Sequence, residues 1–337
     1  MGRQAMNSAG FIDVRQISIR EVVEAHGPAG GNRWLEIRNP RGISADINLD
    51  GGGDIGWAQA GGIPLSWQSM GGHYASARRS CIKSRWKDTF GGGLLATCGL
   101  RSIGMPSEVD GVEYGLHGNI SMIPVRSYQV ISPQGFASEA DKIVIHAQIV
   151  DAPLGEVPLG MTRVLEFDVM QPVLTIHDHI VNLGTSPTHI MFRHHINIGQ
   201  PLISNGTQLS GSLPFLGWRD ENDDSGDLPR ALTMSQYPEE ETVGYYGRYG
   251  ADGTLMPISV SRRGVGELIV EPLSANWRYL LLWRDPNVSV NVLGVEPSTA
   301  RDGGRRQAMH DQELMVIEPG DVKDFKTKIR YHQSAER

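Results

Sequence analysis

Short runs in which apolar and polar residues alternate recur along the chain, and this period of two is the feature that most limits its possible folds. Alternation puts every second side chain on one face of an extended strand, so each run predicts a strand with one buried face. The clearest runs are ISADINL (43–49), KIVIHAQIV (142–150), RVLEFDV (163–169), VLTIHDHIVN (173–182), GELIVEPL (266–273), YLLLWR (279–284) and VSVNVLGVE (288–296). No segment keeps a helical period over three turns, and SIREVVEAH (18–26) is the best short helical candidate.

Glycine and proline separate these runs at short intervals, with 41 glycines and 19 prolines among 337 residues. Many short strands with turn residues between them predict a sandwich or a barrel, not alternating strand and helix units. All-β folds often reach such a length as one unit, so the length does not require two domains.

Composition and charge exclude several classes of function. The net charge of −7 argues against a nucleic-acid partner, which needs a clustered basic surface. Two cysteines in unrelated contexts provide neither a disulfide framework nor a CxxC site. The opening MGRQAMNSAGF lacks the apolar region of a secretory signal, and no apolar run approaches the roughly 20 residues of a spanning helix. We therefore expect a cytoplasmic protein with no membrane partner.

Two hydrophilic segments predict loops. RDGGRR (301–306) is the one basic cluster, and because Asp and Gly interrupt it, we expect a solvated loop. WRDENDDSGDLPRA (218–231) predicts a long surface loop. Its acidic residues do not have the spacing of a calcium-binding EF-hand loop.

Three stretches contain side chains suited to chemistry. GVEYGLHGNIS (111–121) places His117 close to glycines on both sides, which leaves its ring room to meet a ligand. In FRHHINIGQPL (192–202), the adjacent His194 and His195 face opposite sides of a strand, and Asn197 shares the face of His195. NVLGVEPST (291–299) ends an apolar strand with Glu296. Burial of that carboxyl would raise its pKa and suit a general base near neutral pH.

A further histidine pair, His177 and His179 in HDHIVN, lies on one strand face. Two such histidines could chelate zinc with a third ligand from a neighbouring strand. The pattern favours a polar outer face instead, because Thr175 and Val181 share their parity while Leu174, Ile176 and Ile180 have the other. We expect no metal site here.

In combination these stretches resemble galactose mutarotase, also called aldose 1-epimerase. DGVEYGLHG, MFRHHINIGQPL and VLGVEPST are similar to three of its motifs, in the same order and at similar spacing. The resemblance is closer still to a branch of mutarotase-like proteins long left as a domain of unknown function. Its motifs correspond here to Asp54–Trp67, Phe90–Gly104, Tyr114–Gly118, His195–Leu202 and Leu293–Pro297.

The resemblance implies a large antiparallel β-sandwich of galactose mutarotase type that binds a sugar on a concave face. We expect this domain over residues 41–330, with residues 1–40 as an N-terminal extension packed on it. The resemblance also implies anomer exchange by ring opening, without metal or cofactor. If the roles of the family's matching positions apply here, Glu296 is the base, His195 is the acid, and His117 hydrogen-bonds the ring or anomeric oxygen.

The substrate-binding set departs from the family pattern. Arg101 is a candidate replacement for an arginine of the family, and an extra cation from Arg193 or Arg284 would suit an acidic or oxidised sugar. The remaining candidates are Asn197 beside the acid, Trp283 or Trp277 as an apolar platform, and Asp285 or Asp220 for sugar hydroxyls.

Two other functions stay open on the same scaffold. One is a lyase or isomerase that acts on a keto- or uronic-sugar, and the other is a sugar-binding module without catalysis. A homo-oligomer is possible in each case. The presence of both His195 and Glu296 weighs against the binding module, which needs neither.

Overall fold

Two large antiparallel sheets, packed face to face, make up most of the described structure. The computed structural model describes residues 12–76, 85–138, 141–212, 214–220, 231–237, 239–248 and 253–334. In spatial order the nine-stranded sheet consists of β10 (Ser127–Ile131), β12 (Lys142–Asp151), β13 (Leu159–Asp168), β14 (Val173–Asn182), β25 (Val322–Gln333), β21 (Gly266–Pro272), β20 (Ile258–Arg262), β16 (Thr207–Ser210) and β18 (Ala231–Leu232).

The second sheet has twelve strands. Its main path is β17 (Phe215–Trp218), β19 (Thr242–Tyr246), β22 (Tyr279–Asp285), β23 (Val292–Ser298), β15 (Thr188–Ile198), β7 (Leu95–Leu100), β5 (Ile55–Ala60), β4 (Ile43–Asn48), β3 (Arg33–Arg38) and β2 (Ser18–Val23). Two short strands join it from the side, β24 (Met315–Ile317) on β15 and β6 (Ile63–Pro64) on β5.

The remaining elements are short. Two small two-stranded sheets pair β1 (Ile12–Asp13) with β11 (Phe136–Ala137) and β8 (Ser107–Val109) with β9 (Val112–Tyr114). Among the described residues, the helices are α1 (Arg85–Asp88), α2 (Gly304–His310) and two 3₁₀ turns, Val14–Gln16 and Ile120–Met122. Within the described ranges, no helix has both the length and the apolar character needed to cross a membrane.

The hydrophobic core lies between the two sheets, where alternate side chains of each strand point inward. On β12 the buried members are Ile143, Ile145, Ala147 and Ile149, and on β4 they are Ile43, Ala45 and Ile47. This alternation was the basis of the sequence prediction, and the all-β sandwich of large antiparallel sheets is confirmed. The strand predicted at 173–182 has those same bounds in the structure.

A buried network of polar side chains crosses the core between the sheets. Arg163 on β13 donates to Asp178 through Nε and Nη2, at 2.8 and 2.7 Å, and to Asp54, the residue before β5 of the other sheet, at 2.9 Å. His194 on β15 lies 2.7 Å from Asp178 Oδ2 through Nε2 and 3.0 Å from Thr327 Oγ1 through Nδ1. A fully buried charge is tolerated only with such partners.

Two local predictions were wrong. SIREVVEAH is not helical, because Ser18–Val23 pairs with β3 as an edge strand, where its β-branched residues suit extended backbone. RDGGRR is not a solvated loop, because Gly304 begins helix α2 and Asp302 is buried. Of the acidic loop predicted at 218–231, residues 221–230 lie outside the described residues. The predicted division of the chain at residue 40 stays a prediction.

Candidate active site

A cleft of about 1160 Å³ opens on the face of the twelve-stranded sheet that points away from the nine-stranded sheet. Alternation along β15 decides which side chains reach it: Arg193 and His195 line the cleft, whereas Phe192 and His194 face the core between the sheets. Glu296 comes from the adjacent strand β23. The cleft therefore contains the two residue types that the sequence predicted as acid and base.

Glu296 lies at the centre of a compact charged group and is 1% exposed. Its Oε1 is 3.1 Å from His195 Nε2, and its Oε2 accepts a hydrogen bond from Arg193 Nη1 at 3.0 Å. The same Nη1 donates to Asp302 Oδ1 at 2.8 Å, so one guanidinium nitrogen holds two carboxylates. Strand β15 pairs with β23 in one register, in which Arg193 stands opposite Ser298 and Ile196 opposite Val295. The same register places His195 opposite Glu296.

Burial shifts the proton affinities of this pair in opposite directions. It raises the pKa of Glu296 to about 8, although Arg193 opposes the shift. Burial also lowers the pKa of His195 well below its usual value, and the neighbouring His117 and Arg193 add to the effect. Near neutral pH the carboxyl is therefore protonated and the imidazole is neutral, so the two contacting groups share a single titratable proton.

Three buried polar atoms of this group form no hydrogen bond within the described part of the chain: Glu296 Oε1, His195 Nδ1 and Arg193 Nη2. Glu296 Oε1 is 3.1 Å from His195 Nε2, but this contact does not have hydrogen-bond geometry. Buried polar atoms in folded proteins are usually satisfied, so several unpaired atoms in one place make this cleft a candidate functional site.

His117 enters the cleft from a loop with unusual backbone. Its φ is +60°, and its Nδ1 accepts a hydrogen bond from the Gly104 N–H at 3.2 Å. The next residue, Gly118, has φ +76°, and a Cβ there would lie 2.4 Å from the Gly99 carbonyl oxygen. Glycine at position 118 therefore permits a close approach of two backbone segments. Burial lowers the pKa of His117 well below its usual value, so the neutral ring carries its proton on Nε2.

Aromatic rings surround the two histidines of the cleft. The Trp86 ring lies 4.7 Å from His117, and the Trp283 ring lies 5.4 Å from His195, both measured between centroids and both edge to face. Phe90 stacks on Trp86 at 4.3 Å and is 6.1 Å from His195. These rings exclude water from the imidazoles and offer flat apolar surfaces to a ligand.

The cations at the rim of the cleft already face carboxylates. Lys87 Nζ and Arg219 Nη2 both contact Glu241 Oε1, at 3.0 and 3.4 Å, and Trp283 Nε1 donates to its other oxygen at 3.0 Å. Arg219 also lies 3.7 Å from Asp302 through Nη1. The rim therefore presents paired charges.

Most of the residues predicted from sequence for the site do meet in this cleft. His117, Arg193, His195, Trp283 and Glu296 line it, together with both alternative aspartates, Asp220 and Asp285. Glu296 and Asp302 accept hydrogen bonds from Arg193 Nη1, whereas its Nη2 has no partner among the described residues, so its role as an extra cation for the ligand stays a prediction.

The structure does not bring four other predicted residues to the cleft, and two of them are arginines. Arg101 is buried in an ion pair with Asp151 at 2.8 Å and with Glu156 at 3.2 Å. Arg284 donates to main-chain carbonyl groups and to Asn291 Oδ1 at 3.0 Å. Both guanidinium groups thus serve the scaffold.

Asn197 and Trp277 also have scaffold positions. Asn197 shares the face of His195, as predicted, but its Nδ2 donates to the Gly93 carbonyl group at 3.0 Å and it does not line the cleft. Trp277 is fully buried in the core, and its Nε1 donates to the Lys326 carbonyl group at 3.0 Å. Of the two tryptophan candidates, only Trp283 reaches the cleft.

Sequence reasoning missed several cleft residues, chiefly Asp302, Trp86 and Arg219. Asp302 lies six positions after Glu296 in the segment predicted as a solvated loop, and nothing local marks it as buried. Trp86 and Arg219 come from connecting segments on distant parts of the chain. Only the folded sheet brings them together.

Comparisons with known proteins agree with this architecture. A family model described as "Domain of unknown function (DUF4432)" matches residues 29–331. No curated protein matches the chain in sequence.

Several solved structures share the fold at low sequence identity. A candidate aldose 1-epimerase from Klebsiella pneumoniae has a TM-score of 0.82 at 18% identity, over 96% of this chain and 87% of that one. A galactose mutarotase-like protein from Clostridium acetobutylicum has a TM-score of 0.62 at 13% identity, over 95% and 100% of the chains. Galactose 1-epimerase from Lactobacillus acidophilus gives 0.56 at 12% identity, with the same coverage. The fold is thus of galactose mutarotase type.

Proposed function

We propose that this chain, which belongs to the DUF4432 family, is an isomerase that interconverts the anomers of a sugar by acid–base ring opening. The observation that carries the proposal is the 3.1 Å contact of His195 Nε2 with Glu296 Oε1 in the cleft. Ring opening needs a base at the anomeric hydroxyl and an acid at the ring oxygen. Because both oxygens are bonded to the same carbon, two groups in direct contact can serve both.

The proposed reaction begins when the single proton of the pair is on His195. Transfer from Glu296 to His195 generates this form, and the charge of Arg193 favours the resulting carboxylate. Glu296 then takes the proton of the anomeric hydroxyl while His195 protonates the ring oxygen, and the carbon–oxygen bond of the ring breaks. Rotation about the C1–C2 bond and closure with the roles reversed yield the other anomer.

His117 supplies a third contact in this proposal. Its Nδ1 already accepts from Gly104, so the neutral ring can offer only an Nε2–H donor. A donor of this kind suits the anomeric or the ring oxygen, whose negative charge rises as the ring opens and closes.

The aromatic rings fit a sugar as the ligand. Trp283 and Trp86 flank the two histidines, and the apolar C–H face of a pyranose packs well on such rings. Since the rim cations Lys87 and Arg219 are paired with Glu241, we expect a neutral sugar to bind as readily as an acidic one.

Anomer exchange measured by NMR across a panel of neutral and acidic monosaccharides tests the proposal. We expect faster exchange of at least one sugar with the wild-type protein than with Glu296→Gln, at equal concentration of folded protein. Formation of an unsaturated sugar would instead indicate the lyase chemistry. Saturable binding with no exchange of any bound sugar would indicate a binding module.

A further inference from the structure

Three potential metal ligands meet on the outer face of the nine-stranded sheet, remote from the cleft face of the other sheet. His177 and His179 are two residues apart on β14, and Asp324 lies on the adjacent strand β25. The register pairs His179 directly with Asp324. Alternation predicted that the two histidines share an outer face, and the half-exposed positions of both confirm it. The pairing of β14 with β25 adds the carboxylate that the sequence alone could not supply.

The distances among these side chains suit a small divalent cation. The three ligand atoms lie within 4.8 Å of one another, and His177 Nε2 is 3.5 Å from Asp324 Oδ1. Zinc bonds of about 2.0–2.2 Å in tetrahedral geometry separate neighbouring ligand atoms by about 3.4 Å. His179 Nδ1 is hydrogen-bonded to the same carboxylate oxygen, so a metal ion would replace that hydrogen bond and move the two atoms slightly apart.

We propose that His177, His179 and Asp324 bind a divalent transition-metal ion of the zinc class, which links β14 to β25. Two imidazoles and one carboxylate form a donor set that zinc favours, and water can complete the coordination at this half-exposed position. The site shares no residue with the cleft, so the ion stabilises the sheet and takes no part in the chemistry of Glu296.

One neighbour limits the affinity of the site. Lys326 stands opposite His177 in the register, and its positive charge repels a bound cation.

Titration of chelator-treated, full-length protein with Zn²⁺ in a calorimeter tests the inference. We expect one saturable site per chain. His179→Gln and Asp324→Asn should each weaken it by at least about tenfold, since losing even the hydrogen-bond partner of a metal ligand costs that much. The matched control is His146→Gln, a half-exposed histidine on the outer face of the same sheet, which should leave the affinity unchanged. Lys326→Gln should tighten binding.

Two further measurements separate this site from the active site. Zn²⁺ should raise the thermal midpoint of the wild type and of His146→Gln but not of His179→Gln, because a ligand that binds only the folded state stabilises it. Anomer exchange should be equal in wild type and His179→Gln. Absence of a saturable site, or equal affinity in His179→Gln and wild type, would overturn the inference.

Discussion

His194 and His195 are adjacent in the chain and belong to different environments. His194 Nε2 lies 2.7 Å from Asp178 inside the core, whereas His195 Nε2 lies 3.1 Å from Glu296 in the cleft. One peptide unit of β15 therefore joins a structural histidine to a proposed catalytic one.

Glu296→Gln and His195→Asn should each reduce anomer exchange by at least about a hundredfold, because positioned proton transfer contributes that much. The double variant should lose much less than the product of the two single effects, since the two groups act on one ring in one step. Polarimetry or exchange NMR on folded protein measures this. Near-normal exchange in Glu296→Gln would contradict the proposed base.

His194→Asn should affect stability more than chemistry. The substitution disturbs a buried hydrogen bond to Asp178, which costs about 1–3 kcal/mol. Denaturant unfolding should detect that loss, and exchange per folded molecule should stay within a few-fold of wild type. If His194→Asn abolishes exchange in folded protein while His195→Asn does not, the acid must be reassigned to the other face of β15.

The stability of the wild type should fall as the pH rises from about 6.5 to about 8. Glu296 has a folded pKa of about 8 against an ordinary value of 4.5, so across this interval the folded state holds a proton that the unfolded chain releases. The lowered pKa values of His117 and His195 make the protein more stable as the pH rises, but mainly below their ordinary pKa of 6.5. The free energy of unfolding, measured in urea across this pH range, should fall with pH in the wild type but not in Glu296→Gln. Equal slopes in both proteins would contradict the raised pKa.

Asp302→Asn should move the alkaline limb of the rate profile to lower pH. We expect wild-type exchange to decline above about pH 8, where the Glu296 and His195 pair loses its single proton. After burial, the charge of Asp302 helps to raise the pKa of Glu296, and Asp302 also shares Arg193 Nη1 with it. Without the charge of Asp302, Arg193 stabilises only the carboxylate of Glu296, and the pKa of Glu296 falls. The control Asp311→Asn, a cleft carboxylate paired with Arg301, should leave the profile unchanged.

His117→Asn should raise KM and lower kcat together. Asparagine tolerates the positive φ of this position, so the loop should keep its course. The shorter side chain withdraws the proposed donor from the ring oxygen, which affects both binding and turnover. Steady-state exchange kinetics, with circular dichroism as a check on folding, measure this. Unchanged KM and kcat would show that His117 only fills space.

The sequence predicted the strands well because they depend on a local pattern, and three of its candidate site residues meet in the cleft. Alternation gave β14 its bounds, and short motifs identified His117, His195 and Glu296. Long-range ion pairs have no local pattern. Arg101 follows a motif strand, yet its charge is satisfied by Asp151, fifty residues later in the chain. Asp302 likewise looked solvated until the fold placed it on Arg193.

The buried bonds of Arg163 with Asp178 and Asp54 restrict how the two sheets can slide over each other. Apolar side chains pack in several offsets at similar free energy, whereas directional bonds between charged groups hold at one offset only. His194 of β15 contacts Asp178 in the other sheet. The relative position of the two sheets therefore also fixes where β15 lies along the strand direction. The contact of His194 with Asp178 on the core side of β15 therefore helps to fix the position of His195 against Glu296 on the cleft side.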